Sequence, residues 1–250
     1  VAYYLPRSVP DVKRRVAFLD DVIQYSKASR WRQGVRPVIC VLDFDGTVTE
    51  KDIGDEICER FAPPTWRDID AAWIRNEISL PEAQRQMWAL ARARREEAVA
   101  HARAVGRERP GLDTLLARVT DAGGVVWLAS GGFDFYIEAL LGARLARFER
   151  AFMNRAEFVA SDDGGRIEVS FPHAGTALGC ARCAVCKGAV CAVARREAAR
   201  VIFIGDGSSD RCALGRADRV WAVRGGILER HARAVGAEVT SFTRLDEIVL

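Results

Sequence analysis

Five consecutive apolar residues, Val38-Ile39-Cys40-Val41-Leu42, end abruptly in Asp43-Phe44-Asp45-Gly46-Thr47. A strand buried on one face alternates apolar and polar residues, whereas one buried on both faces is apolar throughout, as in parallel sheets covered by helices. The run predicts a central parallel strand with two acids at its carboxyl end, the edge at which open α/β sheets bind ligands. Two later runs repeat the pattern: residues 125–129 lead into Ser130-Gly131-Gly132, and residues 201–204 lead into Gly205-Asp206-Gly207-Ser208-Ser209-Asp210. Helical patterns at 112–122, 133–141 and 187–199 alternate with strand-like stretches at 201–204, 219–223 and 238–240. Residues 152–171 read as short strands around a turn at Asp162-Asp163-Gly164-Gly165. The expected fold class is α/β, a doubly wound parallel sheet.

Residues 51–109 break this alternation. They contain no strand-like pattern, are punctuated by Pro63-Pro64 and Pro81, and offer Ser79 as a helix N-cap, so they read as a helical insertion. The expected organisation is a core of residues 37–50 and 110–250, the insertion at 51–109, and an N-terminal extension at 1–36. In the extension Val12, Val16, Leu19 and Ile23 recur at helical spacing over residues 11–29. That apolar stripe could pack on the main domain or on a partner subunit, which leaves a homodimer open.

Composition excludes several classes. A chain of 250 residues buries a full core without disulfides, and 49% apolar with 28% charged residues is a globular balance. No run of about 18 apolar residues occurs, so no membrane span is expected. The net charge of +3, from 37 basic and 34 acidic residues, is too balanced for a nucleic-acid-binding face. The first ten residues lack an apolar signal-peptide region, and the seven cysteines are an odd number. Reduced thiols in a cytoplasm are the simplest expectation. Lysine is confined to Lys13, Lys27, Lys51 and Lys187, so a lysine in a motif is less expected by chance.

The polar groups delivered to strand ends and helix starts are Asp43/Asp45, Ser130, Lys187 and Asp206/Asp210. Acids converging on one sheet edge repel each other unless a cation offsets them, and a hard divalent ion such as Mg²⁺ suits oxygen ligands. The lysine, the serine hydroxyl and the N–H groups of Gly131 and Gly132 can hold phosphate oxygens. The set describes a phosphoryl-transfer site without a nucleotide-binding loop. Each residue also has an ordinary structural use. Asp-x-Asp-Gly is good turn chemistry, Ser130 can cap the next helix, Lys187 can be a surface lysine, and Asp210 can stabilise a helix start.

In this order and at these separations the four segments resemble the motifs of the haloacid dehalogenase (HAD) superfamily, over about residues 37–250. The resemblance implies a HAD-like Rossmannoid core with a small α-helical cap inserted after the first strand. It implies Asp43 as nucleophile through an aspartyl-phosphate, and Asp45 as general acid and then base. Mg²⁺ is expected on the Asp43 carboxylate, the Asp45 carbonyl and Asp206, with Asp210 orienting metal-bound water or Lys187. Ser130 and Lys187 are expected to stabilise the transferring group.

The helical insertion, Phe-Met-Asn-Arg (152–155) and Gly-Gly-Phe-Asp (131–134) are similar to the phosphoserine phosphatase-like branch. Phe-Ala-Pro-Pro-Thr-Trp (61–66), Met-Trp-Ala-Leu (87–90), Gly-Gly-Phe-Asp-Phe-Tyr (131–136), Pro-His (172–173) and Cys-Lys (186–187) are closer to the methionine-salvage phosphatases of 2-hydroxy-3-keto-5-methylthiopentenyl-1-phosphate. The branch's cap acid falls on Asp52. Its substrate-binding arginine falls on Met87, with Arg85 two residues away, and this departure points away from phosphoserine. An apolar cap pocket near Met87, Trp88 and Trp73 is expected for a less charged leaving group. The expected activity is Mg²⁺-dependent hydrolysis of a small phosphate ester. Phosphoserine or phosphocholine-type hydrolysis, and transfer to an acceptor other than water, use the same site. A reading of another class is a non-catalytic partner-binding protein with a cysteine-bound metal.

Cys180, Cys183 and Cys186 form C-x₂-C-x₂-C, with Cys191 five residues on and His173 seven residues before Cys180. The spacing is compatible with Zn²⁺ or an iron–sulfur cluster, and equally with a reduced, metal-free cluster in the loop that presents Lys187. The resembling branch carries cysteines here without needing them for hydrolysis. Cys40, Cys58 and Cys212 have apolar neighbours and are expected in the core.

Overall fold

The computed structural model describes residues 36–161 and 164–250; the helix expected over residues 11–29 lies outside them. Among the described residues β1 (Arg36–Leu42), β2 (Val125–Phe133), β3 (Arg150–Val159), β4 (Arg166–Ser170), β5 (Ala198–Gly205), β6 (Arg219–Val223) and β7 (Thr240–Phe242) form one sheet in the order β4-β3-β2-β1-β5-β6-β7. All neighbouring pairs are parallel except β3 and β4, which form an antiparallel hairpin at one edge. The apolar run at 38–42 explains why β1 is central. Val38, Cys40 and Leu42 turn to one face and meet Leu112, Leu115 and Val119 of α5 (Leu112–Asp121). Ile39 and Val41 turn to the other and meet Val190, Cys191 and Ala194 of α7 (Lys187–Ala194) and Leu228 of α8 (Ile227–Ala234). Both faces of the strand are buried, so neither can tolerate a polar residue.

Two boundaries differ from the sequence expectation for identifiable reasons. β2 continues through Ser130-Gly131-Gly132 to Phe133, and its register against β3 shifts between Ala129 and Phe133. Two side-chain-free residues let the strand bend there without losing its course. α6 (Asp134–Leu141) therefore starts after Ser130 has already passed, and its N-cap position is Phe133. α7 stops at Ala194, short of residue 199, because Ala198 is already paired with Arg36 of β1.

The insertion comprises α1 (Ile53–Phe61), α2 (Trp66–Ile74), α3 (Leu80–Leu90) and α4 (Arg95–Val105). An antiparallel bridge between Thr49 and Glu108 closes its neck. Asp52 caps α1 by accepting from the Asp55 N–H at 3.0 Å, and Ser79 caps α3 by accepting from the Glu82 N–H at 3.4 Å. The charged residues of α4 lie on its outer face while Ala98 and Ala102 are buried. No helix among the described residues is long and apolar enough to cross a membrane.

Trp88 of α3 fastens the insertion to the sheet. It is 1% exposed, with its ring 4.6 Å from Phe133 and 5.9 Å from Phe135 between centroids. Aromatic burial of this size dominates local packing energetics. Trp88→Ala should destabilise the fold by about 3–5 kcal/mol in denaturant unfolding. A loss under about 1 kcal/mol would show that the insertion does not depend on this contact.

Candidate active site

Asp43 follows β1 directly, and its N–H still donates to Ile204 of β5 at 3.0 Å. The chain then folds into a turn in which the N–H groups of Thr47, Val48 and Thr49 all approach the Phe44 carbonyl, at 3.1, 2.8 and 3.1 Å. Gly46 has φ +74°, and a Cβ there would collide with the Asp206 carboxylate. The turn therefore requires glycine for its backbone and for the acid beside it. Arg109 clamps the loop from outside, donating to the Gly46 and Thr47 carbonyls at 2.9 Å each.

The polar segments expected to meet do so. Lys187, the first residue of α7, is 1% exposed, and its Nζ lies 3.2 Å from Asp43 Oδ1, 3.2 Å from Asp210 Oδ1 and 2.8 Å from Ser209 Oγ. It is not a surface lysine. Asp210 Oδ2 accepts from the Asp206 and Gly207 N–H groups at 2.9 Å each, which fixes the loop after β5. Thr47 Oγ1 is 3.2 Å from Asp43 Oδ2 and 3.0 Å from Asp206 Oδ1, so one hydroxyl spans two strand ends.

Asp45 has a different setting. Its Oδ1 accepts from the Ile53 N–H at 3.0 Å, at the start of the insertion. Its Oδ2 accepts from the Tyr136 hydroxyl at 2.8 Å and from Ser130 Oγ at 3.3 Å. Ser130 is no helix cap: it lies within β2, and its Oγ also accepts from the Gly132 N–H at 2.9 Å. The Gly131 carbonyl is held by Gln84 of α3 at 2.9 Å and by Asn154 of β3 at 2.7 Å. Any side chain at Gly132 would strike the Tyr136 hydroxyl and the Asp45 carboxylate.

Asp52 caps α1 close enough for its charge to raise Asp45. Met87 is buried in the apolar cluster between α3 and the sheet, one turn beyond Gln84 on the same helix face. Trp88 belongs to that packing as well, and Trp73 lies partly buried against it.

Several participants were not singled out in the sequence. Thr47, Tyr136 and Ser209 lie inside the motif stretches and could have been marked as hydroxyl donors. Arg109, Gln84 and Asn154 reach the site only through the packing of distant segments, and no local pattern distinguishes them.

Electrostatics follow from crowding. Burial, with Asp210 next, pushes Asp43 up to about 7, although Lys187 opposes the shift. Burial, then Asp210 and Asp43, holds Asp206 well above the usual carboxylate range. Burial, then Asp52 and Asp43, does the same for Asp45. Burial alone would push Lys187 down, but Asp43 and Asp210 outweigh it and the ammonium is held more firmly than usual. Asp43, Asp206 and Asp210 each present an oxygen within 4.8 Å of the others. An all-oxygen set with surplus negative charge fits a hard divalent cation such as Mg²⁺.

The cysteines divide. Cys40 and Cys58 are core residues as expected, and Cys191 is buried against the sheet. Cys212 corrects the sequence expectation: it is exposed, on the short 3₁₀ turn Ser208–Ala213. The tight turn sends Ala213 into the core and Cys212 outward, toward Cys180 and Cys186, with sulfurs within 4.8 Å of one another. His173 lies edge-on to Phe152, with ring centroids 5.6 Å apart.

Residues 40–215 match the model of the haloacid dehalogenase-like hydrolases. The chain belongs to that family. It is 30% identical over 188 residues to a 2-hydroxy-3-keto-5-methylthiopentenyl-1-phosphate phosphatase of Geobacillus kaustophilus (strain HTA426), covering 75% of this chain and 83% of that one. A protein of the same name from Bacillus pumilus (strain SAFR-032) is also 30% identical over 188 residues, covering 75% and 79%. Among solved structures, a phospho-aspartyl intermediate analogue of phosphoserine phosphatase superposes with a TM-score of 0.62 at 19% identity, covering 85% of this chain and 97% of that one. At that identity the likeness concerns the fold, and it places the sheet and helices of this HAD hydrolase in the Rossmannoid α/β class.

The crowded acids predict how stability responds to pH and metal. Asp43 in the folded hydrolase holds its proton up to about pH 7, whereas an unfolded aspartate releases it near the ordinary 3.8. The native state therefore binds more protons across that window, and stability of the Mg²⁺-free protein falls as pH rises from about 4 to 7. Added Mg²⁺ should raise the melting temperature more at neutral pH than at about pH 5, because it competes with those protons. Equal shifts at both pH values would refute this account.

Proposed function

We propose that this HAD hydrolase is a Mg²⁺-dependent phosphomonoesterase acting through an aspartyl-phosphate on a small metabolite of the 2-hydroxy-3-keto-5-methylthiopentenyl-1-phosphate type. The observation that carries the reading is the separation of Asp43 from Asp45. Two carboxylates two residues apart have unlike surroundings, and unlike surroundings assign unlike roles. Asp43 lies against Lys187 through Oδ1, and its Oδ2, which accepts from the Thr47 hydroxyl at 3.2 Å, is the oxygen we assign to attack phosphorus. Asp45 is held well above the usual carboxylate range and is hydrogen-bonded to Tyr136, so it retains a proton to give.

In the first step an Asp43 oxygen attacks phosphorus and the ester P–O bond breaks. Asp45 gives its proton to the departing alkoxide. In the second, Asp45 takes a proton from water, whose oxygen attacks the phosphorus of the acyl phosphate and frees phosphate and the Asp43 carboxylate. Lys187, the Ser130 hydroxyl and the Gly131 N–H balance charge on the transferring oxygens, while the Gly132 N–H, which was expected to join them, holds Ser130 Oγ instead. Asp43, Asp206 and the Asp45 carbonyl would hold Mg²⁺, which when bound neutralises carboxylate repulsion and phosphate charge. Asp210 is a positioning residue that holds Lys187 and the Asp206 loop.

The substrate class rests on the insertion. Leu80 Cδ2 lies 3.5 Å from where a Cβ on Gly131 would stand, so an apolar side chain overhangs the phosphate-binding glycine. Met87 continues that face of α3, and Asp52 adds negative charge near Asp45. Arg85 is occupied over the Phe171 ring, 4.9 Å from its centroid. This environment favours an uncharged, thioether-bearing leaving group over an amino-acid carboxylate. The free thiols suit a reducing, cytoplasmic setting.

Asp43→Asn should lower the rate by roughly 10⁴-fold or more, because a nucleophile is lost outright. Asp45→Asn should lower it by roughly 10²–10⁴-fold. With an aryl phosphate, whose leaving group needs no proton, Asp45→Asn should still give a burst of aryl alcohol ahead of slow turnover. Near-wild-type turnover by Asp43→Asn would remove the mechanism. For substrate class, kcat/KM is compared across the methylthiopentenyl phosphate, phosphoserine, phosphocholine and sugar phosphates, with added alcohols as acceptors. The first should lead, with phosphate released to water. Preference for phosphoserine, or phosphate appearing on an added alcohol, would overturn that assignment while leaving the chemistry intact.

A further inference from the structure

The loop before α7 carries more sulfur than packing requires. The sulfurs of Cys180, Cys186 and Cys212 lie within 4.8 Å of one another, and the Cys183 thiol is in hydrogen-bonding contact with those of Cys186 and Cys212. A tetrahedral zinc with Zn–S bonds of about 2.3 Å spaces its sulfurs about 3.8 Å apart. Three thiols from two distant segments therefore already stand close enough to share one ion, and Cys183, beside Cys186 and Cys212, is the nearest candidate for the fourth vertex. The backbone is arranged for thiolates. The Cys183 N–H donates to Cys180 Sγ at 3.3 Å, and the Ala189 N–H is aimed at Cys186 Sγ. Both bonds run from residue i+3 back to a cysteine sulfur, and each spreads the negative charge of a bound thiolate. Cys186 is also the N-cap residue of α7, where the helix dipole favours an anion. Cys180 and Cys212 are exposed while Cys183 and Cys186 are buried, which leaves an open side for metal entry.

We propose that Cys180, Cys183, Cys186 and Cys212 form a tetrathiolate site for Zn²⁺ that ties the loop presenting Lys187 to the loop presenting Asp210. Zn²⁺ displaces four thiol protons and no electron is transferred, so the step needs no oxidant. The donor set is wholly sulfur, which selects a soft tetrahedral ion over Mg²⁺. His173, in contact with Phe152, and Cys191, buried against the sheet, stay outside the set. The site has a defined mechanical place. Cys186 precedes Lys187 directly, and Cys212 follows Asp210 by two residues, so the metal braces both sides of a buried ion pair. Gly188 packs so closely on this turn that a Cβ there would strike the Cys212 carbonyl. Arg182, between the first two cysteines, accepts at its carbonyl from the Leu80 N–H at 2.9 Å and donates to the Trp73 carbonyl at 3.4 Å. The same knot therefore reaches the helical insertion at α2 and α3.

The test is metal analysis of the full-length chain purified without chelator, followed by Co²⁺ substitution. About one zinc per chain is expected, with cobalt giving sulfur-to-metal charge-transfer bands and the intense visible bands of a tetrathiolate. Cys212→Ser should weaken metal retention by at least about 10-fold and shift the cobalt spectrum, whereas Cys58→Ala, altering a core cysteine, should leave both unchanged. If Cys212→Ser fails to fold, thiol titration of the native wild type decides: four thiols should be protected until zinc is removed. Less than about half an equivalent of zinc, iron in its place, or a disulfide within the cluster would overturn the site. An unchanged cobalt spectrum in Cys212→Ser would overturn the fourth ligand. None of these readouts depends on phosphatase activity.

Discussion

A lysine ammonium buried between two carboxylates organises this protein. Removing such a charge from water is costly unless it is fully paired, and Lys187 is paired with Asp43, Asp210 and the Ser209 hydroxyl. Those partners come from the end of β1 and the turn after β5, and the lysine comes from the first residue of α7. The pairing can form only if β1 and β5 are neighbours and α7 packs across their carboxyl ends. The continuous apolar run of β1 supplies that neighbourhood, because a strand buried on both faces belongs in the middle of the sheet. Burial and charge pairing thus demand the same topology.

One ammonium does not settle the account of four carboxylates at this edge. The excess raises the proton affinity of Asp43, Asp206 and Asp45. For Asp43 and Asp206 a divalent ion is the natural relief, since their oxygens face one another. Asp45 turns instead toward the insertion, where the Ile53 N–H holds one oxygen while the Tyr136 hydroxyl of α6 holds the other. The first helix of the insertion thereby touches the proposed proton donor directly. A change in how the insertion seats on the sheet would alter the environment of that proton, so substrate fit and acid strength share one structural element.

Much of this was legible in the chain because the constraints are local. Asp43, Asp45 and Gly46 follow an apolar run without interruption. Lys187 is one of few lysines, and Asp206 and Asp210 stand in a loop too polar to be anything but a strand exit. What could not be read depends on packing between segments far apart in sequence. Ser130 could also have served to cap α6, and only the continuation of β2 through two glycines shows that it does not. Cys212 has Ala213 and Leu214 beside it, which suggested a core position. The 3₁₀ turn decided otherwise, because it buries Asp210 and Ala213 and leaves Cys212 on its outer side. Gln84 and Asn154, from the insertion and from β3, converge on the Gly131 carbonyl without any motif of their own.

Donor chemistry separates two places on either side of Lys187. Toward the sheet edge the available ligands are carboxylate oxygens, hard and negatively charged. Toward the surface they are thiols, soft and grouped by a C-x₂-C-x₂-C spacing that a distant cysteine completes. Hard and soft donors sort metal ions by type, so two sites this close need not compete for the same ion. A lysine between them has a demanding task. In the proposed reaction it must stay charged and nearly motionless while the carboxylate beside it becomes an acyl phosphate and is released again. Lysine's long stem carries considerable rotamer freedom, and hydrogen bonds to Asp43, Asp210 and Ser209 restrain only its tip. Its backbone must be held as well. A loop fixed at Cys186 on one side and packed at Gly188 against the Asp210 turn on the other supplies that restraint at the helix start, where the stem begins.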